Sequence, residues 1–169
     1  LAAEPADTDE FMVSDGGVLK RIDYSLIKGS TNNPSFKVHL SALVTCTTAT
    51  WTTVPYDTEL FDSDGCFNTG TYGFTPTTEG YYFFYAGGYW SSESEFNGAT
   101  LHFYKNATDL STGYGKNFFY HPAVATTIVH MNGSSDTMAV RVKQDSGGDV
   151  GFRSAVEQMG FGGFLVQAV

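Results

Sequence analysis

The chain has 169 residues, 41% of them hydrophobic and 15% aromatic, with 14 Phe, 10 Tyr and 19 Gly. This is enough apolar material for one core plus an extension, and its composition is that of a β protein rather than a disordered or coiled-coil chain. Its 18 acidic and 9 basic residues give a net charge of −9, which argues against a nucleic-acid partner, since that needs a basic face. No apolar run reaches the length of a membrane span.

Leu1 to Glu10 is acidic and Ala-rich and reads as a linker; Leu1-Ala2-Ala3-Glu4-Pro5 lacks the basic and apolar regions of a signal peptide. Two apolar runs flanking Ser14-Asp15-Gly16-Gly17 predict a hairpin, and Asp23 to Gly29 predicts a short helical turn. Such a hairpin is too small to stand alone, so residues 1–33 are expected to be an attachment segment, held by the main domain or by a neighbour. The main domain, 34–169, opens with Phe36, Val38, Leu40, Ala42 and Val44 alternating against Lys37, His39 and Ser41, the pattern of a half-buried strand. The Thr-rich stretch around Trp51 reads as an edge strand or a loop. Cys46 and Cys66 are two free small residues or one disulfide; the spacing does not decide.

Gly80-Tyr81-Tyr82-Phe83-Phe84-Tyr85-Ala86-Gly87-Gly88 organises the rest. Alternate side chains of a strand point to opposite faces, and here both sets are apolar. One face lines the core. The other meets another subunit or lies under a loop of the same chain. Tyr82 and Phe84 are assigned to the subunit contact. Further strands are predicted at Ala99–Lys105, Ala125–Met131, Thr137–Lys143 and Phe161–Val169, roughly eight to ten short strands in all, a sandwich or barrel signature.

The order of these motifs resembles the trimeric jelly-roll superfamily of the complement one-q globular head and tumour necrosis factor. Phe67-Asn68-Thr69-Gly70-Thr71-Tyr72-Gly73-Phe74-Thr75-Pro76, running on to Gly80-Tyr81-Tyr82-Phe83, is similar to its most recognisable motif. Leu101 to Asn106, Met138 to Val142 and Phe161-Gly162-Gly163-Phe164-Leu165 resemble its later strands. Pro76 departs from the usual spacing, and Ala107 stands where a turn Gly is common. The resemblance spans about residues 36–169 and implies an all-β jelly-roll sandwich assembled as a homotrimer. Separately, Phe11 to Ile22 is similar to short segments of bacteriophage virion proteins, especially fibres.

His39, His102, His121 and His130 are scattered, and no Gly-x-Ser-x-Gly elbow is present, so no catalytic residue is assigned. A glycan hydrolase, the least favoured class, would need two carboxylates facing a cleft. Asp57, Glu59, Asp62 and Asp64 cluster near a turn that starts like a calcium loop but lacks the distal Glu; the solvated-turn reading leads, and no cofactor is assigned. Trp90, Tyr114 and Phe119, beside the polar loops Ser91–Gly98 and Asn106–Tyr120, are the expected recognition anchors. Completing the core or the trimer seam is the competing role for such aromatics. The sequence therefore points to a non-enzymatic virion protein: a trimeric fibre, spike or tail component. Its partners would be other virion proteins and a host-surface receptor or glycan. A capsid decoration protein and an extracellular complement- or cytokine-type ligand are the alternatives.

Overall fold

The computed structural model describes residues 5–27, 34–91, 98–110, 122–154 and 159–169. The chain divides into two compact units, Leu1–Asn32 and Asn33–Val169. In the first, β1 (Glu10–Asp15) and β2 (Val18–Asp23) form an antiparallel ribbon, followed by the single helical turn α1 (Tyr24–Ile27). Gly16 and Gly17 join the strands with φ of 60° and 86°. Positive φ at both central residues is what a tight two-residue hairpin loop requires, hence the two glycines.

The second unit is built from β3 (Ser35–His39), β4 (Val44–Cys46), β5 (Thr52–Thr53), β6 (Thr58–Asp62), β7 (Phe67–Asn68), β8 (Gly73–Phe74), β9 (Glu79–Ser91), β10 (Thr100–Lys105), β11 (Thr108–Asp109), β12 (Pro122–Asn132), β13 (Met138–Lys143), β14 (Val150–Arg153) and β15 (Phe161–Ala168). A seven-stranded sheet runs β4-β14-β9-β15-β3-β6, with β12 on the other side of β9. A six-stranded sheet runs β11-β10-β13-β8-β7, with β5 also on β13. All described pairings are antiparallel.

The two sheets pack face to face through aromatic rings. Phe36 of β3 stacks 4.3 Å from Phe74 of β8, and Phe84 of β9 meets Phe74 at 5.8 Å and Phe103 of β10 at 6.2 Å. Phe161 of β15 meets Phe36 edge-on at 4.9 Å. Tilted and edge-to-face pairs of this kind add to the free energy of burying the rings. The core sits between the sheets, and its largest members (Tyr56, Tyr82, Phe36, Phe74, Phe84 and Phe103) are fully buried.

The predicted opening strand is shorter than its sequence pattern. Phe36, Val38 and Leu40 are buried, but Ala42 is exposed and Val44 only half-buried. The chain bends at Leu40–Leu43, where Asp57 accepts hydrogen bonds from the Ser41 N–H at 2.8 Å and its hydroxyl at 2.6 Å, and β4 leaves to pair with β14. The aromatic strand is longer than its flanking glycines suggest. It runs through Gly87-Gly88, because a Cβ on Gly88 would lie 2.2 Å from Cζ of Phe152 on β14. β12 starts earlier than the predicted Ala125, with Pro122 as its first residue, a position where its missing N–H costs little. β6 and β14 have no counterpart among the predicted strands.

Candidate subunit interface

The register of β9 against β15 and β3 decides which aromatics face where. Phe84 lies opposite Gly163, which lies opposite Phe36, and this row points at the six-stranded sheet. Tyr82 and Ala86 share that direction, with Leu165 and Phe161 beside them. Tyr82 and Phe84 are therefore core residues, fully buried within one chain, and the assignment of these two to the subunit contact is corrected. The Tyr82 hydroxyl donates to the Thr78 carbonyl at 2.9 Å, and burial pushes its pKa up to about 12.

The outward set is Tyr81, Phe83 and Tyr85. Its neighbours extend it across three strands. Ile128 of β12 lies opposite Phe83, Phe164 of β15 lies opposite Phe83 on the other side, and the Phe83 and Phe164 rings are 5.3 Å apart. Val124 adds to the same face beside Gly87, and Val166 is the extra residue of a bulge between Leu165 and Gln167. Tyr81, Val124, Ile128, Phe164 and Val166 are 45–60% exposed. The Tyr85 hydroxyl lies over Gly162, whose added Cβ would come within 2.4 Å of it. One flank of the patch is polar: His130 Nε2 is 3.4 Å from Glu79 Oε1 and its ring 5.3 Å from that of Tyr81. At the other, Arg153 sits 4.5 Å over the Tyr89 ring. An apolar centre with a polar rim is the anatomy of a protein–protein interface.

Trp90 is also corrected. It is 4% exposed and packs edge-on against Phe152 at 5.0 Å, so it completes the core and is not a solvent-facing anchor. Tyr114 and Phe119 lie outside the described residues, as does His121. The acidic cluster near residue 60 serves turns. Asp62 accepts from the Phe67 N–H at 2.6 Å and the Asp64 N–H at 3.3 Å. Burial raises the Asp57 pKa, but the hydrogen bonds from Ser41 and Thr58 outweigh it and hold the carboxyl below its ordinary value. Among the described residues no three His, Cys, Asp or Glu side chains converge as a metal site.

Cys46 and Cys66 are both free and buried; burial pushes the Cys46 thiol up to about 11 and raises that of Cys66. Cys66 lines an open groove of about 680 Å³ at the β7–β8 turn, whose other side chains include Asn68, Thr71, Thr75 and Thr137. Within it the Thr75 and Thr137 hydroxyls are 3.0 Å apart, and Asn68 Oδ1 accepts from the Gly70 and Thr71 N–H groups.

The six-stranded sheet presents a different outer face. His102 Nδ1 is 2.9 Å from Asp109 Oδ1, the Trp51 ring covers His102 at 4.7 Å and Tyr104 at 5.7 Å, and Arg141 lies 4.4 Å over Tyr104. Below it, Asp136 accepts from Asn106 Nδ2 at 2.6 Å and the Asn132 N–H at 3.0 Å, and pairs with Lys105 at 2.8 Å. The side-chain hydrogen bonds from Lys105 and Asn106 hold the Asp136 carboxyl below its ordinary value.

Two antiparallel sheets closed over an aromatic core make a jelly-roll sandwich. Solved structures with this fold include the globular domain of zebrafish complement 1qA, at 17% identity and a TM-score of 0.56 over 82% of this chain and all of that one. Murine APRIL at pH 8.0 superposes with a TM-score of 0.60 at 9% identity, over 80% of this chain and all of that one. At pH 8.5 murine APRIL gives 0.55 at 12%, over 79% of this chain and 98% of that one. No family model and no curated protein matches the sequence.

Proposed function

We propose that this jelly roll is a non-enzymatic recognition and assembly module that works as a homotrimer, carried by a virion fibre, spike or tail protein. The observation that carries the trimer is the outward face of β9, β12 and β15, where Tyr81, Phe83, Ile128 and Phe164 form a contiguous apolar patch. Three chains packed about a closed axis cover three such patches at once, with no open end left to grow. The non-catalytic reading rests on the hydroxyl-lined groove, where burial raises the Cys66 thiol and the Thr75 and Thr137 hydroxyls bond each other. The virion setting rests on the likeness of Phe11–Ile22 to phage fibre segments. The extracellular-ligand reading draws on the fold likeness to the complement domain, and the N-terminal segment weighs against it.

Sedimentation of the full chain at micromolar concentration tests the first part: the species expected has three times the mass of the 18.3 kDa chain. A stable monomer overturns it. Labelling whole particles with antibody to the purified protein tests the second; absence from purified virions, with secretion from cells instead, would favour the ligand reading.

A further inference from the structure

The groove at the β7–β8 turn is built from neutral polar groups. Its volume of about 680 Å³ lies within the range of small-ligand sites. All of its lining residues belong to the jelly-roll unit, and none is a charged type. Burial raises the Cys66 thiol, which keeps that group neutral too. The lining is otherwise hydroxyl and amide, with one aromatic ring, Phe67, left 6% exposed. Much of its hydrogen-bonding capacity is unspent. Asn68 Oδ1 is taken up by the Gly70 and Thr71 N–H groups at 2.8 and 3.0 Å, which fixes the amide and leaves Nδ2 without a partner among the described residues. The exposed Thr69 and Thr71 hydroxyls have none there either. In the Thr75–Thr137 pair one hydroxyl donates to the other, so the second keeps its hydrogen. The turn that carries these groups is stiff. The Tyr72 N–H donates to the Asn68 carbonyl at 2.7 Å, and Tyr72 has φ of 59°, a left-handed conformation that a bulky residue adopts only where its surroundings impose it. Thr side chains are restricted at χ1, so their hydroxyls are ordered at little further entropic cost.

We propose that this groove is a recognition site for a neutral saccharide, with Asn68 Nδ2 and the Thr69, Thr71 and Thr75–Thr137 hydroxyls bonding sugar hydroxyls and Phe67 meeting the apolar face of a sugar ring. This gives the recognition part of the reading above a site and a ligand class, and it rests on that part alone, independently of the trimer and the virion setting. Three observations select the class. A sugar hydroxyl both donates and accepts, and a lining of Thr hydroxyls matches that double role, where a set of pure donors would select an anion. With no charge in the lining, a carboxylate, sulfate or phosphate would lose its hydration without gaining a counter-charge, and the net charge of −9 repels polyanions before they arrive. An extended peptide recognised by strand addition needs a longer edge than β7, which ends its sheet and is 2 residues long.

The experiment titrates the full chain with short neutral oligosaccharides (glucans, galactans, mannans and N-acetylhexosamine polymers) by calorimetry, with hexuronate oligomers as the anionic contrast. Co-sedimentation with bacterial envelopes, run alongside, reads recognition as such. Thr71→Val keeps the side-chain shape and removes the hydroxyl. Asn68→Asp keeps the oxygen that accepts from Gly70 and Thr71 and removes the Nδ2 donor. Thr100→Val, on β10, is the control, and thermal unfolding of each variant checks that the fold is intact. The expected result is binding of a neutral oligosaccharide that each groove variant weakens about 5- to 10-fold, the loss of one neutral hydrogen bond, and that Thr100→Val leaves unchanged. Envelope binding without any neutral oligosaccharide bound, or saccharide binding that both folded groove variants leave within about twofold, overturns the groove proposal and leaves recognition by another surface standing. Tighter binding of the hexuronates overturns it as well. Binding of neither envelopes nor oligosaccharides overturns both the proposal and the recognition reading beneath it.

Discussion

Phe164→Ala isolates the subunit contact from the fold. Phe164 points away from the core and remains 45% exposed in one chain. A Phe side chain offers about 200 Å², so about 90 Å² is left to bury between chains, worth about 2 kcal/mol at about 25 cal/mol per Å². Three copies make that about 6 kcal/mol per trimer, or about four decades in the three-chain association constant. Concentration enters that constant squared, so the half-assembly concentration rises about 100-fold. Sedimentation equilibrium or native mass spectrometry across a dilution series reads the shift directly, and thermal unfolding of the dissociated chain is measured alongside it to separate the part of the ring buried within the monomer, which includes the 5.3 Å contact with Phe83. A midpoint displaced less than threefold would refute the assignment of this face as the contact.

Trp90→Ala should destabilise the chain by about 3–5 kcal/mol, as large-to-small core substitutions do, visible in denaturant unfolding; an unchanged midpoint would return Trp90 to the surface. Ala107→Gly should stabilise by up to about 1 kcal/mol, because Ala107 has φ of 66° in a two-residue turn with Asn106 at 50° and an L side chain there is strained. Urea unfolding is the measurement, and a loss of stability contradicts the turn geometry. The lowered pKa of Asp136 means its contribution is present above the ordinary carboxylate value of about 4 and is lost as pH falls through the lower folded value. Asp136→Asn should cost about 1–3 kcal/mol at neutral pH and flatten the acid limb of the stability curve; an unaltered limb would count against it.

The fold was legible in the sequence, and the face assignment was not, for one physical reason. Alternation along Tyr81–Ala86 sorts the aromatics into two sets without saying which set is inside, because both sets are apolar. The choice is made by cross-strand register: Phe84 faces inward because Gly163 and Phe36 lie in its row, and nothing local to β9 encodes that row. Trp90 failed differently. It follows a Gly-Gly pair that reads as a strand end, but Phe152 fills the space above Gly88 and carries the strand on to Ser91. The strand that supplies Phe152 is, like β6, one that the sequence pattern left unread. Ala107 shows the converse case: a departure from a familiar turn residue, visible in the sequence, does correspond to a strained backbone position.

The two outer faces of the sandwich give the trimer reading its direction. A sheet with an apolar outer face can be covered by its own chain or by another. The six-stranded sheet takes the first course: Trp51, from the segment before β5, lies over His102 and Tyr104, and with Arg141 above the same ring Tyr104 is left 6% exposed. The seven-stranded sheet has no such cover among the described residues, and Tyr81, Ile128 and Phe164 keep about half their surface or more in contact with solvent. Among the described residues the sandwich thus has one covered polar outer face and one open apolar one, and the open face is the one the trimer reading uses. The glycine at 162 makes that surface flat where Tyr85 lies down on it. Flatness suits close approach of like faces around an axis, and the polar residues at its flanks, Glu79 with His130 and Arg153 over Tyr89, limit how far the contact spreads.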